Sequence, residues 1–291
     1  MFEEHQLQIG KQIGAGNEGM VYRSLDLTSG RVVALKKIPI PKGDQQKRSK
    51  IEVNNQLYQQ EVKIMVGLQH ENITNTKGFL HKEFEMWLLM DYANLGCIES
   101  LCNTFGPLEE QTVAVYLRQI LSGLDYLHDH KVIHRDIKPS NLLLTDEGVV
   151  KLSDFGSFYR METSQTVDDM VSTLKGSIMY MAPEAAQQSS PSRKSDIWSL
   201  GCVVLEMSTG KKPWSELQFD NLYAALMVIA TSGKSPIVPN SLSDDLKDFL
   251  AKCFIIDSKE RPTAKDLLQH PFLKKYHTER SPSQTSLPNI Q

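Results

Sequence analysis

The sequence predicts an α+β chain of two lobes, a small β-rich lobe carrying one key helix and a larger, mostly helical one. Three observations lead there. Short β-branched runs punctuated by turn residues fill the first third of the chain. Helical periodicity takes over beyond a break at Asn94-Leu95-Gly96. Hydrophobic residues make up 40% of the 291, enough apolar mass for a sizeable core.

In order, residues 6–13 are half apolar and residues 20–27 alternate loosely. Thr28-Ser29-Gly30 is a turn signal, and residues 31–38 form a β-branched run, so strand, turn, strand is the simplest reading. Pro39, Pro41 and Gly43 break the pattern. A helix is expected around 52–68, with Leu57, Glu61, Met65 and Leu68 sharing one face. Residues 73–79 and 85–92 read as two more strands. The small lobe then spans about 1–90, a hinge 91–96 and the large lobe 97–276. Within the large lobe, Leu117, Ile120, Leu121, Leu124 and Leu127 keep the 3.6 period over 110–128. Residues 196–207 are apolar nearly all round, which marks a buried helix. Residues 244–254 place Leu246, Phe249, Leu250 and Cys253 on one side. The polar, Ser- and Pro-bearing stretch 277–291 reads as a disordered tail.

Thirty-two basic residues against thirty-five acidic ones leave a net charge of −3. That balance offers no electrostatic reason to bind nucleic acid or an anionic membrane. The cluster Lys42, Lys47, Arg48 and Lys50 reads as a solvated loop. Cys97, Cys102, Cys202 and Cys253 form no C-x-x-C pair and no zinc spacing, which fits a reducing compartment. With no apolar run of signal-peptide or membrane-spanning length, a soluble cytoplasmic chain is expected.

The chemistry-bearing residues come in four groups. Gly14-Ala15-Gly16-Asn17-Glu18-Gly19 fits G-x-G-x-x-G. That spacing also serves dinucleotide folds, but those need a helix after the glycines, and here a strand follows. Glycines at a strand–turn–strand tip let backbone N–H groups approach phosphate oxygens, although a plain hairpin turn has the same look. Val33-Ala34-Leu35-Lys36 then sets a lysine between apolar neighbours, where it needs a carboxylate and a polyanion to offset burial. Glu61, on the apolar face of the expected helix, is the partner proposed for it. The third group is His134-Arg135-Asp136-Ile137-Lys138-Pro139-Ser140-Asn141. Asp136 can orient an attacking hydroxyl, Asn141 can ligate a hard cation, and Lys138 brings positive charge to a transferring phosphoryl group. The fourth is Asp154-Phe155-Gly156, with Asp154 as a second oxygen ligand for Mg²⁺. In this order and spacing the four together are a strong signal for phosphoryl transfer.

With these residues the chain resembles the eukaryotic protein kinase family over about residues 8–276, which implies the two-lobed protein-kinase-like fold with ATP and Mg²⁺. Ala182-Pro183-Glu184, with Arg261 as ion-pair partner of Glu184, and Ser195-Asp196-Ile197-Trp198 fit family segments, the last implying that Asp196 holds the catalytic loop. The resemblance implies Asp136, Lys138, Lys36 and Glu61 as the catalytic set. It implies a nucleotide site of Ile13, Gly14, Gly16, Gly19, Val21, Ala34, Lys36, Met90, Asp91, Ala93, Leu143, Asn141 and Asp154. Met90 would be the gatekeeper, Asp91, Tyr92 and Ala93 the hinge, and Val21, Ala34 and Leu143 the residues around the adenine. Asn141 and Asp154 would hold the metal. Lys138 after Asp136 is the pattern of the Ser/Thr class.

Within the family the chain is similar to the Ste-type group, most of all to MAP kinase kinase kinases of the MEKK kind. Leu174-Lys175-Gly176-Ser177, Thr209-Gly210-Lys211-Lys212-Pro213-Trp214 and Leu268-Gln269-His270-Pro271-Phe272-Leu273 carry that likeness. Ser177-Ile178-Met179-Tyr180 stands where such kinases often carry Thr-Pro-x-Trp, and Ser140-Asn141 with Tyr180-Met181 looks more like MAP kinase kinases. Protein substrates, among them MAP kinase kinases, are implied. So is activation by an upstream kinase or by autophosphorylation, with Arg135 as phosphate receptor and Ser172 and Thr173 as favoured acceptors. A pseudokinase scaffold, a small-molecule kinase and a dual-specificity kinase are the competing readings.

Overall fold

The computed structural model describes residues 6–16, 19–39, 65–82, 84–154, 176–187 and 192–276. The first three strands are β1 (Leu7–Gly16), β2 (Gly19–Asp26) and β3 (Val32–Pro39). With β4 (Thr76–His81) and β5 (Glu85–Asp91) they form an antiparallel sheet in the order β1-β2-β3-β5-β4. Side chains alternate across it. One face of β3 and β5 carries Ala34, Lys36, Leu88 and Met90, while the other gathers Val33, Leu35, Trp87 and Leu89 into a small core.

One expectation shifts. The strand foreseen over 73–79 begins at Thr76, because Ile73 is taken by an isolated parallel bridge to Leu152 in the other lobe. Alternating apolar residues cannot reveal which partner claims them. Of the helix foreseen over 52–68, residues 65–67 are helical, and Glu61 lies outside the described residues. So do Phe155, Gly156, Ser172, Thr173 and the expected tail 277–291.

The large lobe begins with α1 (Ile98–Phe105) and α2 (Glu110–Asp129). A 3₁₀ turn at Pro139–Asn141 leads to the hairpin of β6 (Leu142–Leu144) and β7 (Val150–Leu152). A second 3₁₀ turn, Ile178–Tyr180, precedes α3 (Pro183–Ala186) and α4 (Arg193–Thr209). Then come α5 (Leu222–Thr231), α6 (Asp244–Cys253), α7 (Ala264–Leu267) and α8 (Pro271–Lys275).

α4 is the central post, as its uniform apolarity foretold. It starts at a capping box between Ser192 and Ser195 and stops at Gly210, whose φ of 67° only glycine adopts without strain. Ile197, Trp198, Leu200, Cys202, Val203, Val204 and Met207 are fully buried along it. α6 lies so close that a Cβ on Gly201 would stand 2.7 Å from Cys253 Cβ. The pair Glu184–Arg261 ties α3 to the segment before α7 through two bonds of 2.8 and 3.1 Å. Arg261 is wholly buried and also donates to the carbonyls of Ile255 and Lys194. Four of the five N–H groups of the buried guanidinium are therefore engaged.

Candidate active site

The site is assembled at the ends of β3, β6 and β7. At the mouth of the sheet Gly16 pairs with Gly19, closing the β1–β2 tip. Gly19 has φ 138°, and a Cβ there would overlap the Lys37 carbonyl oxygen, so the third glycine of the motif is sterically required. Val21 lies opposite Lys36, and Ala34 opposite Met90, in the strand register. Leu143 on β6 bridges Cys97, the residue that caps α1. Asp91 closes β5, and its carboxylate is held by Asn75 at 3.0 Å and Lys77 at 3.2 Å. Ile13 lies exposed on β1 beside Gly14, and Ala93 is part-exposed just after β5.

Lys36 is buried, and among the described residues its ammonium meets Asp154 Oδ1 at 2.5 Å. The lysine thus reaches from the small lobe to a carboxylate of the large one. Burial pushes the Asp154 carboxyl up, but Lys36 beside it outweighs that and holds it below the ordinary carboxylate value. Asp154 takes φ 60°, a conformation uncommon for a non-glycine residue, and is fixed from behind by Ser153. The Ser153 N–H and hydroxyl both donate to the Asn141 carbonyl, at 2.9 and 3.1 Å.

Three donors converge on the Asp136 carboxylate. Lys138 Nζ reaches Oδ2 at 2.8 Å, Asn141 Nδ2 reaches Oδ2 at 2.9 Å, and the Ser177 hydroxyl reaches Oδ1 at 2.5 Å. Lys138 also donates to Ser177 Oγ at 2.9 Å. The loop carrying Asp136 hangs from Asp196 on α4, which accepts from the His134 and Arg135 N–H groups at 3.0 and 2.9 Å. The His128 ring donates to the same carboxylate at 2.8 Å. Arg135 has φ 68°. His134 is completely buried, and that burial holds its imidazole below its ordinary value of 6.5 despite three nearby carboxylates.

The structure therefore brings Lys36 to Asp154 and gathers Asp136, Lys138 and Asn141 into a bonded network with Ser177, the two sets linked where Ser153 donates to the Asn141 carbonyl. Sequence reasoning missed His128. Its one signal was position, a polar residue four places beyond Leu124 on the buried stripe of α2. The donor set suits a hard cation. Asn141 spends its amide N–H₂ on Asp136 and keeps its oxygen, Asp154 keeps Oδ2, and oxygen donors are what Mg²⁺ takes. Among the described residues no group of three His, Cys, Asp or Glu side chains is placed to hold a metal ion.

Residues 7–273 match the family described as the protein kinase domain, and the chain belongs to the protein kinase family. It is similar to mitogen-activated protein kinase kinase kinase ANP1 of Arabidopsis thaliana, 40% identical over 270 residues, 93% of this chain and 40% of the relative. It is 38% identical over 269 residues to mitogen-activated protein kinase kinase kinase A of Dictyostelium discoideum, covering 91% of this chain and 28% of that one. Mitogen-activated protein kinase kinase kinase 19 of Mus musculus is 38% identical over 269 residues, 91% of this chain and 20% of its own. The MAP kinase kinase kinase likeness read from the sequence agrees with these relatives, and the chain spans less than half the length of each.

Proposed function

We propose that this chain is a serine/threonine protein kinase that transfers the γ-phosphate of ATP to Ser or Thr hydroxyls of proteins, in a MAP kinase-type cascade. One observation carries it: the network that joins Lys36 and Asp154 across the lobes and fixes the Asp136 carboxylate with Lys138, Asn141 and Ser177. In this reading Lys36, fixed by Glu61 as well, positions the α- and β-phosphates, and Asp136 orients the substrate hydroxyl. Lys138 lies beside the transferring group, and Ser177 holds both in place. Mg²⁺, held by Asn141 and Asp154, neutralises phosphate charge when bound. Adenine lies between Ile13, Val21, Ala34 and Leu143, against Met90, with the backbone of Asp91 and Ala93 at its edge and the glycines over the phosphates. The kinase domain comprises 8–276.

Protein substrates of the MAP kinase kinase class are supported by the names of the relatives. A cytoplasmic location is supported by four free thiols, and no described helix is long and apolar enough to cross a membrane. Activation by an upstream kinase or by autophosphorylation would place a phosphate on Ser172 or Thr173, to be paired by the Arg135 guanidinium.

The test is phosphotransfer from ATP to Ser-, Thr- and Tyr-bearing peptides, with phosphoamino-acid analysis and Mg²⁺ chelation. Asp136→Ala is expected to lower kcat by at least about 10²–10³-fold with the fold intact. A near wild-type rate in that variant sinks the assignment, and phosphotyrosine would replace it with dual specificity.

A further inference from the structure

Asp154 follows β7 by two residues, so whatever fixes β7 aims Asp154. One edge of β7 pairs with β6. At the other edge two side-chain amides stand in for a strand. The Val150 N–H donates to Gln119 Oε1 at 2.8 Å, and the Val150 carbonyl accepts from Asn72 Nδ2 at 3.1 Å. Asn72 Nδ2 also donates to Gln119 Oε1 at 3.2 Å. Gln119 Nε2 donates to the carbonyl of Gly148, in the β6–β7 turn, at 3.2 Å. Further along, the Leu152 N–H donates to the Asn72 carbonyl and the Leu152 carbonyl accepts from the Thr74 N–H, both at 2.9 Å. α2 is pressed against this joint. A Cβ on Gly123, one turn beyond Gln119, would stand 2.8 Å from the Asn72 oxygen and overlap Leu152.

We propose that Gln119 is a positioning residue for Asp154: its amide locks the outer edge of β7 to the Asn72 segment and so presets the carboxylate for the Mg²⁺–nucleotide complex. The inference rests on the kinase reading for the role of Asp154, and on geometry alone for the lock. A half-buried amide that serves Val150, Gly148 and Asn72 at once cannot be replaced by an apolar side chain without leaving a backbone N–H unpaired. Loosening there moves Asp154 relative to Asn141, and outer partners of a metal ligand typically matter by about 10–100-fold in metal affinity.

Gln119→Met removes donor and acceptor at similar length. Gln119→Glu keeps the acceptor for Val150 and Asn72 and exchanges the donor to Gly148 for a charged oxygen facing that carbonyl. Gln111→Met, at an exposed position of the same helix, is the control. The measurements are amide hydrogen exchange over residues 148–154, calorimetric ATP affinity with and without Mg²⁺, and kcat and KM for a Ser peptide.

Gln119→Met is expected to speed exchange over 148–154 and to weaken ATP binding about tenfold only when Mg²⁺ is present. kcat should fall with peptide KM unchanged, Gln119→Glu should recover most of the loss, and Gln111→Met should match wild type. Unchanged exchange, or equal loss of ATP affinity with and without Mg²⁺, overturns the proposal. If Gln119→Met does not fold, Gln119→Glu decides. A loss smaller than about threefold and confined to Mg²⁺-ATP supports the lock, and a loss independent of Mg²⁺ overturns it. A wild-type protein that neither binds Mg²⁺-ATP nor phosphorylates peptide ends the kinase reading instead, and exchange alone then judges the lock.

Discussion

At the residue scale, Gly19 and Arg261 illustrate two different demands. Gly19 is required by shape, because its φ and the nearness of the Lys37 carbonyl leave no place for a side chain. Gly19→Ala should therefore distort the β1–β2 tip. The expected outcome is an ATP KM raised several-fold and little change in peptide KM, read from steady-state kinetics. Arg261 is required by charge. Its guanidinium, itself wholly buried, bonds Glu184 and two carbonyls. Removing it strands the part-buried Glu184 carboxylate, whose pKa is raised by burial but held down overall by Arg261 and Ser195. Arg261→Ala should cost about 3–5 kcal/mol in urea unfolding. A loss below 1 kcal/mol would mean that the pair is solvated.

At the element scale, α4 and the 176–180 segment set the catalytic loop. Asp196 sits in the first turn of α4 and carries the loop's backbone, while Ser177 reaches back from the segment before α3. A hydroxyl is needed there, not a serine as such. Ser177→Thr should keep most of kcat and Ser177→Ala should lose it, with the ATP KM of both near wild type. The close contact of α4 with α6 at Gly201 gives a second prediction. Gly201→Ala adds a methyl where Cys253 and Phe254 already stand, and should destabilise the domain by about 1–3 kcal/mol without changing ATP KM.

At the scale of the whole molecule, buried histidines should lower stability in mild acid, opposed toward its acid end by Asp125 and Glu206, whose carboxyls burial raises. Burial holds the imidazoles of His70, His134 and His270 below 6.5. The unfolded chain then binds more protons than the folded one from about pH 6.5 down to the folded pKa values, so stability declines as pH falls through that window. Glu184 adds the carboxylate counterpart, present above its ordinary 4.5 and lost at lower pH. Urea midpoints should drop between about pH 7.5 and 5.5. His270→Asn keeps an N-cap acceptor for the Phe272 N–H, removes one titrating ring, and should flatten the slope.

Much of this was legible in the sequence. The glycine tip, Lys36, the loop from His134 to Asn141 and Asp154 each carry a residue type that elementary chemistry ties to phosphate or cation handling, at spacings short enough to read. The two-lobe division and the buried helix α4 followed from turn residues and uniform apolarity. What could not be read was pairing over distance. Ile73 looked like any strand residue, yet it bridges Leu152. His128 closes the amphipathic run of α2 with no mark of its partner, yet it buttresses Asp196. Gln119 looked like a polar residue on a helix, yet three backbone and side-chain groups depend on it. Residue types and local periods determine which elements form and which chemistry is present. Only the folded chain decides which of them meet, because contacts between residues tens of positions apart depend on how the elements pack, and packing leaves no periodic trace in the sequence.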